Sequence, residues 1–394
     1  MTLASPLRFA DLEPVGPGTP SGTYLRRFWH PVLRARDLKS KQAKPIEILA
    51  EKFTVYRSED GTPHVVAFRC AHRGAQLSLG WIEGDALRCR YHGWKFDRSG
   101  QCVEQPTEDK PFGQRVKIPS YPTREYLGLI FAYLGEGNPP PFTRYPDLDR
   151  PGVIIADPTE IVPCNFWNRL DNDIAHIPWV HRATALRKGR HDYIVPRREI
   201  VEETPYGWSN TRMPISNSGG LRDLSPKAHF FMPNVYQFQH RTRAKGFETR
   251  NLWDTKIMWT VPVNDGTLAA FDVTHTPLEG AEAHAYEASR SGDQEAESEN
   301  RWDIGEKILA GEMTIEEIPD EITAYTSFAI EDYVTQVGQG PIAGRTREHL
   351  GLTDAKVILL RRMWLREVTA MLEGTPLTDW QFPTQPLHEV LAPA

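Results

Sequence analysis

The sequence predicts an α+β chain in which a small all-β domain precedes a larger domain of antiparallel sheet flanked by helices. Three observations predict it. Short alternating runs separated by turns fill residues 35–136, Pro139-Pro140-Pro141 interrupts both helix and ladder hydrogen bonding, and β-rich runs then alternate with helical stretches. With 394 residues and 40% hydrophobic content the chain can bury two cores. The expected division is an arm and helix over 1–34, an all-β domain over 35–140 and a second domain over 141–394.

Taken in order, residues 1–22 are rich in Pro, Gly, Ser and Thr and read as an irregular arm. From Gly22 to Val32 aromatic and basic residues recur at helical spacing until Pro31, which predicts a helix stopped there. His30 is read as packing of this arm rather than as chemistry. Ile46-Glu47-Ile48-Leu49 and Phe53-Thr54-Val55-Tyr56 alternate as strands do, with a turn at Glu59-Asp60-Gly61. Lys95-Phe96-Asp97 and the apolar run Leu127 to Leu134 add further strands, with a turn at Arg98-Ser99-Gly100. Beyond the prolines, Ala228 to His240 and Lys256 to Pro277 have strand character, the latter folding at Asn264-Asp265-Gly266. Ala281 to Ile308 is an acidic helical stretch with a mobile join expected around Ser289 to Gln294. Val357 to Leu372 closes the domain as an amphipathic helix whose Arg361 and Arg362 read as solvated charges, the alternative being that they face an acidic partner.

Within the first domain lie Cys70-Ala71-His72-Arg73-Gly74 and Cys89-Arg90-Tyr91-His92-Gly93-Trp94. Two thiols and two imidazoles arrive as a Cys-x-His pair and a Cys-x-x-His pair, the composition of a four-ligand metal site. Zinc accepts two sulfurs and two nitrogens, but zinc fingers usually place the two Cys together and the two His together. Here each half contributes one of each. A [2Fe–2S] cluster with two Cys on one iron and two His on the other requires that mixture, because each loop must reach both irons. The neutral imidazoles also lower the negative charge and raise the reduction potential.

The formal net charge of −6 leaves no basic stripe for nucleic acid. Four cysteines (Cys70, Cys89, Cys102, Cys164), two of them already assigned as ligands, are too few for a disulfide framework. Met1 to Pro20 lacks a basic segment followed by an apolar core, and no run approaches transmembrane length. A soluble, cytoplasmic protein is the expectation. No glycine-rich dinucleotide fingerprint is present, so electrons for any redox chemistry must come from another protein.

A second constellation follows the proline break: Asp173, His176 and His181, with Pro178 between the histidines. Five residues apart on a regular helix, the two His would point about 140° away from each other. A proline-broken helix can bring them to one ion. Asp173 lies three residues before His176, at the spacing of helix neighbours. A lone His pair is by itself more often part of a packed core, and Asp173 alone could be an acid favoured at a helix N-terminus.

Together these motifs resemble the catalytic α subunit of the Rieske non-haem iron oxygenases, over nearly the whole chain. The resemblance implies a Rieske [2Fe–2S] domain over 35–140, held by Cys70, His72, Cys89 and His92, and a helix-grip-like catalytic domain over 141–394. Ala75 and Tyr91 stand where respiratory Rieske centres carry a disulfide, so the likeness is to oxygenases and their ferredoxins. It implies a mononuclear iron(II) bound by His176, His181 and a distant carboxylate. Ile330-Glu331-Asp332-Tyr333 matches the family's acid-bearing helix, with Asp332 as ligand and Glu331 as runner-up; the alternative is a solvated helix face. Asp173 would link His92 of a neighbouring subunit to His176 in a head-to-tail homotrimer or dimer of trimers. Asp171-Asn172 abuts Asp173 here, closer than in many relatives, which leaves the part of Asn172 open.

The implied activity is that of an oxygenase component using dioxygen and electrons from a separate NAD(P)H-dependent reductase, directly or through a ferredoxin. Cys-x-His-Arg-Gly and Gln339-Gly340-Pro341-Ile342-Ala343-Gly344-Arg345 are similar to the phthalate dioxygenase and aromatic O-demethylase branch. The implied substrate is an aromatic acid or a methoxylated aromatic. Alternatives from other classes are a Rieske electron-transfer protein with a non-catalytic second domain and a zinc-stabilised interaction protein.

Overall fold

A computed structural model describes residues 6–174, 178–189, 197–214, 227–242 and 252–388. The chain divides into two compact units, one of residues 14–143 and 261–265, the other of 1–13, 144–260 and 266–394.

The first unit is built from short strands in three sheets. β1 (Trp29–Arg34), β10 (Thr123–Tyr126) and β11 (Leu129–Tyr133) form one, in the order β1-β11-β10. β2 (Ala43–Ile48), β3 (Glu51–Arg57), β4 (Pro63–Ala67) and β9 (Ser120–Tyr121) form the second, in sequence order. β5 (Trp81–Glu83), β6 (Ala86–Arg88), β7 (Lys95–Phe96) and β8 (Cys102–Glu104) form the third. All named pairings run antiparallel, as short connections allow. A core of Tyr56, Val66, Leu77, Leu87, Trp94, Phe96 and Ile118 buries Cys70 and Cys89.

The helix expected from Gly22 to Val32 is a correction. The helix α1 covers only Pro20–Leu25, capped by the Thr19 hydroxyl, and Trp29–Arg34 is strand. Pro31 is tolerated there because the ladder to β11 shifts register between Pro31 and Leu33. His30 is fully buried and donates its Nε2–H to the Leu25 carbonyl at 2.7 Å. The apolar run from Leu127 starts its strand only at Leu129, because Leu127 and Gly128 both take positive φ in a tight turn.

The second unit has an eight-stranded antiparallel sheet. Its strands are β12 (Val153–Ala156), β13 (Glu160–Val162), β14 (Arg197–Thr204), β15 (Gly207–Pro214), β16 (Ala228–Phe231), β17 (Val235–Arg241), β18 (Trp253–Asn264) and β19 (Thr267–Thr276). Their order is β12-β19-β18-β17-β16-β15-β14, with β13 also on β19. The β18–β19 hairpin turns at Asp265-Gly266, as expected. Helices α2 (Phe166–Ile174), α3 (Arg182–Arg187), α4 (Gly280–Leu309), α5 (Ala324–Gly338) and α6 (Ala355–Glu373) complete it.

Two further expectations are corrected here. No join interrupts the acidic helix: α4 runs unbroken for 30 residues, the cost of Gly292 (roughly 1 kcal/mol) being shared among strong helix formers on both sides. Arg361 is buried, not solvated, donating to Asp171 and to Glu348 at 2.5 Å each. Asp171 also accepts from Arg345 at 2.6 Å, and Arg361 lies over the Phe9 ring. Burial pushes the Asp171 carboxyl up and the two guanidiniums oppose that shift. The arm itself packs: Phe9 meets the Trp167 ring edge-on at 4.9 Å and Trp167 donates to the Leu12 carbonyl.

Candidate metal centres

The two cysteine loops are the same backbone turn used twice. In each, the residue four after Cys is a glycine with positive φ, Gly74 at 72° and Gly93 at 74°. Each glycine N–H donates back to the cysteine carbonyl, at 2.9 and 3.1 Å. Each cysteine N–H donates to the residue five on, Ala75 or Trp94, at 2.8 Å. The arginine before each cysteine then donates to the glycine carbonyl: Arg69 to Gly74 at 2.9 Å and Arg88 to Gly93 at 2.8 Å. Arg88 is itself held by Glu83 and Glu104. Sequence reasoning passed over these arginines, although Arg-Cys-x-x-x-Gly occurs twice and could have marked them.

Cys70 and Cys89 are buried at 3% and 2% exposure, whereas His72 and His92 are half-buried. The imidazole centroids lie 4.7 Å apart, and His72 stacks on Trp94 at 4.4 Å. Burial pushes the Cys70 thiol up to about 12, while the His72 and Arg73 amides donate to its sulfur and oppose that shift. A thiolate in this position calls for a bound cation. Two like loops that each bring one sulfur and one nitrogen fit a two-iron cluster with two ligands on each iron.

In the second unit, α2 and α5 pack side by side and α3 follows a short 3₁₀ turn, Pro178–His181. His176 lies outside the described residues. His181 is fully buried between two acids that are adjacent in sequence. Its Nδ1 is 2.5 Å from Glu331 Oε2 and its Nε2 is 3.5 Å from Asp332 Oδ1. Thr184 donates its hydroxyl to the other Glu331 oxygen. Phe328, one turn before Asp332, lies against the His181 ring at 4.6 Å. Asn172 donates to Asp332 Oδ1 at 3.4 Å. The pair is thus not a solvated face: Glu331 has no exposure, and Asp332 is turned inward with 22%. His181 Nε2 and Asp332 Oδ1 are a nitrogen and a carboxylate oxygen spaced as two donors to one ion, a set suited to iron(II).

Asp173 sits at the C-terminal end of α2, so the helix-N-terminus explanation for it fails. Arg169, one turn earlier, donates its Nε–H to Asp173 at 2.9 Å. Burial pushes the Asp173 carboxyl up to about 7, opposed by Arg169 and reinforced by the Asp272 and Asp332 charges. Arg169 was not singled out from sequence, although its spacing four before Asp173 is the usual helical ion pair.

Residues 28–122 match the Rieske [2Fe-2S] domain. The chain is 30% identical over 393 residues to the 5,5'-dehydrodivanillate O-demethylase oxygenase subunit of Sphingobium sp. (strain NBRC 103272 / SYK-6), covering 92% of this chain and 80% of that one. It is 29% identical over 380 residues to the tert-butanol monooxygenase / tert-amyl alcohol desaturase oxygenase subunit of Aquincola tertiaricarbonis, covering 90% and 75%. The solved structure of Pseudomonas putida CBB5 NdmA shares the fold at a TM-score of 0.63 with 19% identity, covering 90% of this chain and 94% of that chain.

Proposed function

Because this chain belongs to the Rieske oxygenases, as an oxygenase subunit, we propose that it hydroxylates or O-demethylates an aromatic acid or methoxylated aromatic at a mononuclear iron. It is an oxidoreductase that carries a Rieske [2Fe–2S] cluster and draws electrons from a separate protein. In the proposal that protein is an NAD(P)H-dependent reductase, acting directly or through a ferredoxin. Cys70 and Cys89 hold one iron of the cluster, and His72 and His92 hold the other. His176, His181 and Asp332 hold the mononuclear iron.

The observation that carries this reading is the two-sided hold on His181. Glu331 accepts the Nδ1 proton, which fixes the tautomer and leaves Nε2 as the lone pair turned toward Asp332. An acid on each side of one buried imidazole is the arrangement of a ligand and its orienting partner, not of a core histidine. When bound, the cluster supplies single electrons and the iron supplies the activation of dioxygen. The protein's part is positional. Thr184 holds Glu331, Asn172 holds Asp332 against rotation, and Phe328 keeps the imidazole plane fixed and water away from one face. Asp173 accepts imidazole N–H bonds from His176 and from His92 of a neighbouring copy, in a head-to-tail trimer. Arg169 orients it.

A cytoplasmic location belongs to the same proposal, supported by Cys102 and Cys164, which are buried and free of disulfides. No described helix is long and apolar enough to cross a membrane. Iron and acid-labile sulfide analysis tests the cofactor assignment: three irons and two sulfides per chain are expected, whereas two and two would leave only an electron carrier. A screen of aromatic acids and methoxylated aromatics with a surrogate reductase, reading oxygen consumption and product mass together, tests the reaction.

A further inference from the structure

The run from Gln339 to Arg345, just beyond the acid-bearing helix α5, takes no part in the chemistry described so far, yet it fastens the end of α5 to α2. An α-helix leaves its last four carbonyls without partners inside the helix. In α5 these belong to Thr335, Gln336, Val337 and Gly338. Gly340, left-handed at φ 69°, turns its N–H back to the Val337 carbonyl at 3.1 Å. The Gln339 side chain donates to the Thr335 carbonyl at 3.3 Å. The Gln336 carbonyl is met from another element: Asn168 of α2 donates to it at 2.9 Å and to the Gly340 carbonyl at 3.0 Å.

Asn168 and Asn172 lie one turn apart on α2, as Gln336 and Asp332 do on α5, and the helices run in opposite directions here. Asn168 meets Gln336, and Asn172 meets Asp332 Oδ1 at 3.4 Å, so the two contacts are rungs about 6 Å apart along the helix axes. They are unequal. A bond of 3.4 Å is longer than an ordinary N–H···O bond, so Asn172 restrains the Asp332 carboxylate without fixing the helix that carries it. The short bonds are at the other rung, where Asn168 is fully buried. Between the rungs Asp171 accepts from Arg345 at 2.6 Å, and Arg345 donates to Gln339 at 2.5 Å, so one guanidinium joins α2 to the residue that closes α5.

The two helices bring different members of the iron site. α5 carries Asp332 and, through Glu331, the orientation of His181, whereas His176 follows α2 by two residues in the sequence. Their donors reach one ion only if α5 stands at one place along α2. We propose that Asn168 and Arg345 are positioning residues for the mononuclear iron, setting the register of α5 on α2 so that Asp332 and His181 meet the donor that follows α2. It rests on the oxygenase reading, which supplies the iron, and adds two residues that reading does not use. The cysteine loops lie in the other unit and share no residue with this clasp, so cluster content serves as an internal control.

The test is anaerobic equilibrium dialysis of iron(II) against full-length protein from which a chelator has removed the mononuclear iron while the cluster stays, checked by acid-labile sulfide. Asn168→Leu, which keeps the shape without the donors, and Arg345→Lys, which cannot reach Asp171 and Gln339 together, should each bind the added iron about tenfold or more weakly, as loss of an outer partner does. Because both act through one clasp, the double variant should lose about as much as the weaker single variant, not the roughly hundredfold product. Cobalt(II) in place of iron(II), read by EPR with the cluster oxidised, should give an altered signal in both variants, since the ligand geometry shifts. A protein that is merely less stable would bind either ion as the wild type does. If Asn168→Leu does not fold, Arg345→Lys carries the test. Wild-type affinity and an unchanged cobalt signal in Arg345→Lys, or single losses that multiply in the double variant, would overturn the assignment. A wild type that takes up no added iron counts against the oxygenase reading; a wild type that loads beside variants that load equally well counts against the clasp alone.

Discussion

Glu331 and Asp332 are neighbours in sequence, yet they take opposite nitrogens of one imidazole. Their roles separate in a way that substitution can read. Asp332→Ala is expected to lower iron from three to two per chain while the cluster's visible spectrum stays intact. Glu331→Gln should retain the third iron but bind it about 10–100-fold more weakly, as loss of an orienting partner does. Equal losses from both variants would contradict the division of roles. Two other histidines act on stability rather than chemistry. Burial pushes His30 down to about 4 and His229 down to about 3. Both folded values lie below that of an unfolded histidine, so the unfolded chain takes up protons first. Their contribution is complete above about pH 6.5 and is lost as pH falls through about 4 for His30 and about 3 for His229. The apparent midpoint of thermal unfolding should therefore decline through that window, and a flat profile from pH 8 to 4 would argue against it.

At the scale of elements, the paired cysteine loops were legible because their chemistry is local: ligand types, spacing and the following glycines all lie within a few residues. The structure adds which glycine is under the tighter constraint. A Cβ on Gly74 would meet nothing, whereas one on Gly93 would come within 3.0 Å of Pro106. Both positions carry positive φ, which costs an alanine about 1–2 kcal/mol. Gly93→Ala should thus lose more cluster than Gly74→Ala, measured as acid-labile sulfide after purification. The expected helix to Val32 failed for a nonlocal reason: the ladder to β11 claims Trp29–Arg34, against the local helical spacing. The solvated reading of Arg361 fails on the same ground. Its partners Asp171 and Glu348 are 190 and 13 residues away, and no helix pattern announces them.

For the whole molecule, the proposed bridge through Asp173 requires neighbouring copies, so light scattering should give a mass near three or six times 44.8 kDa. A monomer that still turned over would remove the bridge. The sequence by itself determined the Rieske domain and its two loops with one Cys and one His each, because those signals are chemical types at short spacing, whereas the acid-bearing helix was read from the family resemblance. It also determined the α+β class, through alternation, turn residues and the proline break. Only the tertiary structure decided which acid faces which side of His181, that Asn172 and Arg169 hold the two aspartates, and that Asp272 keeps a buried oxygen unpaired. Those facts depend on how α2, α3 and α5 pack together and on the pairing of β18 with β19. Residues more than a hundred positions apart in the chain become neighbours through packing, which the pattern along one strand or helix does not encode.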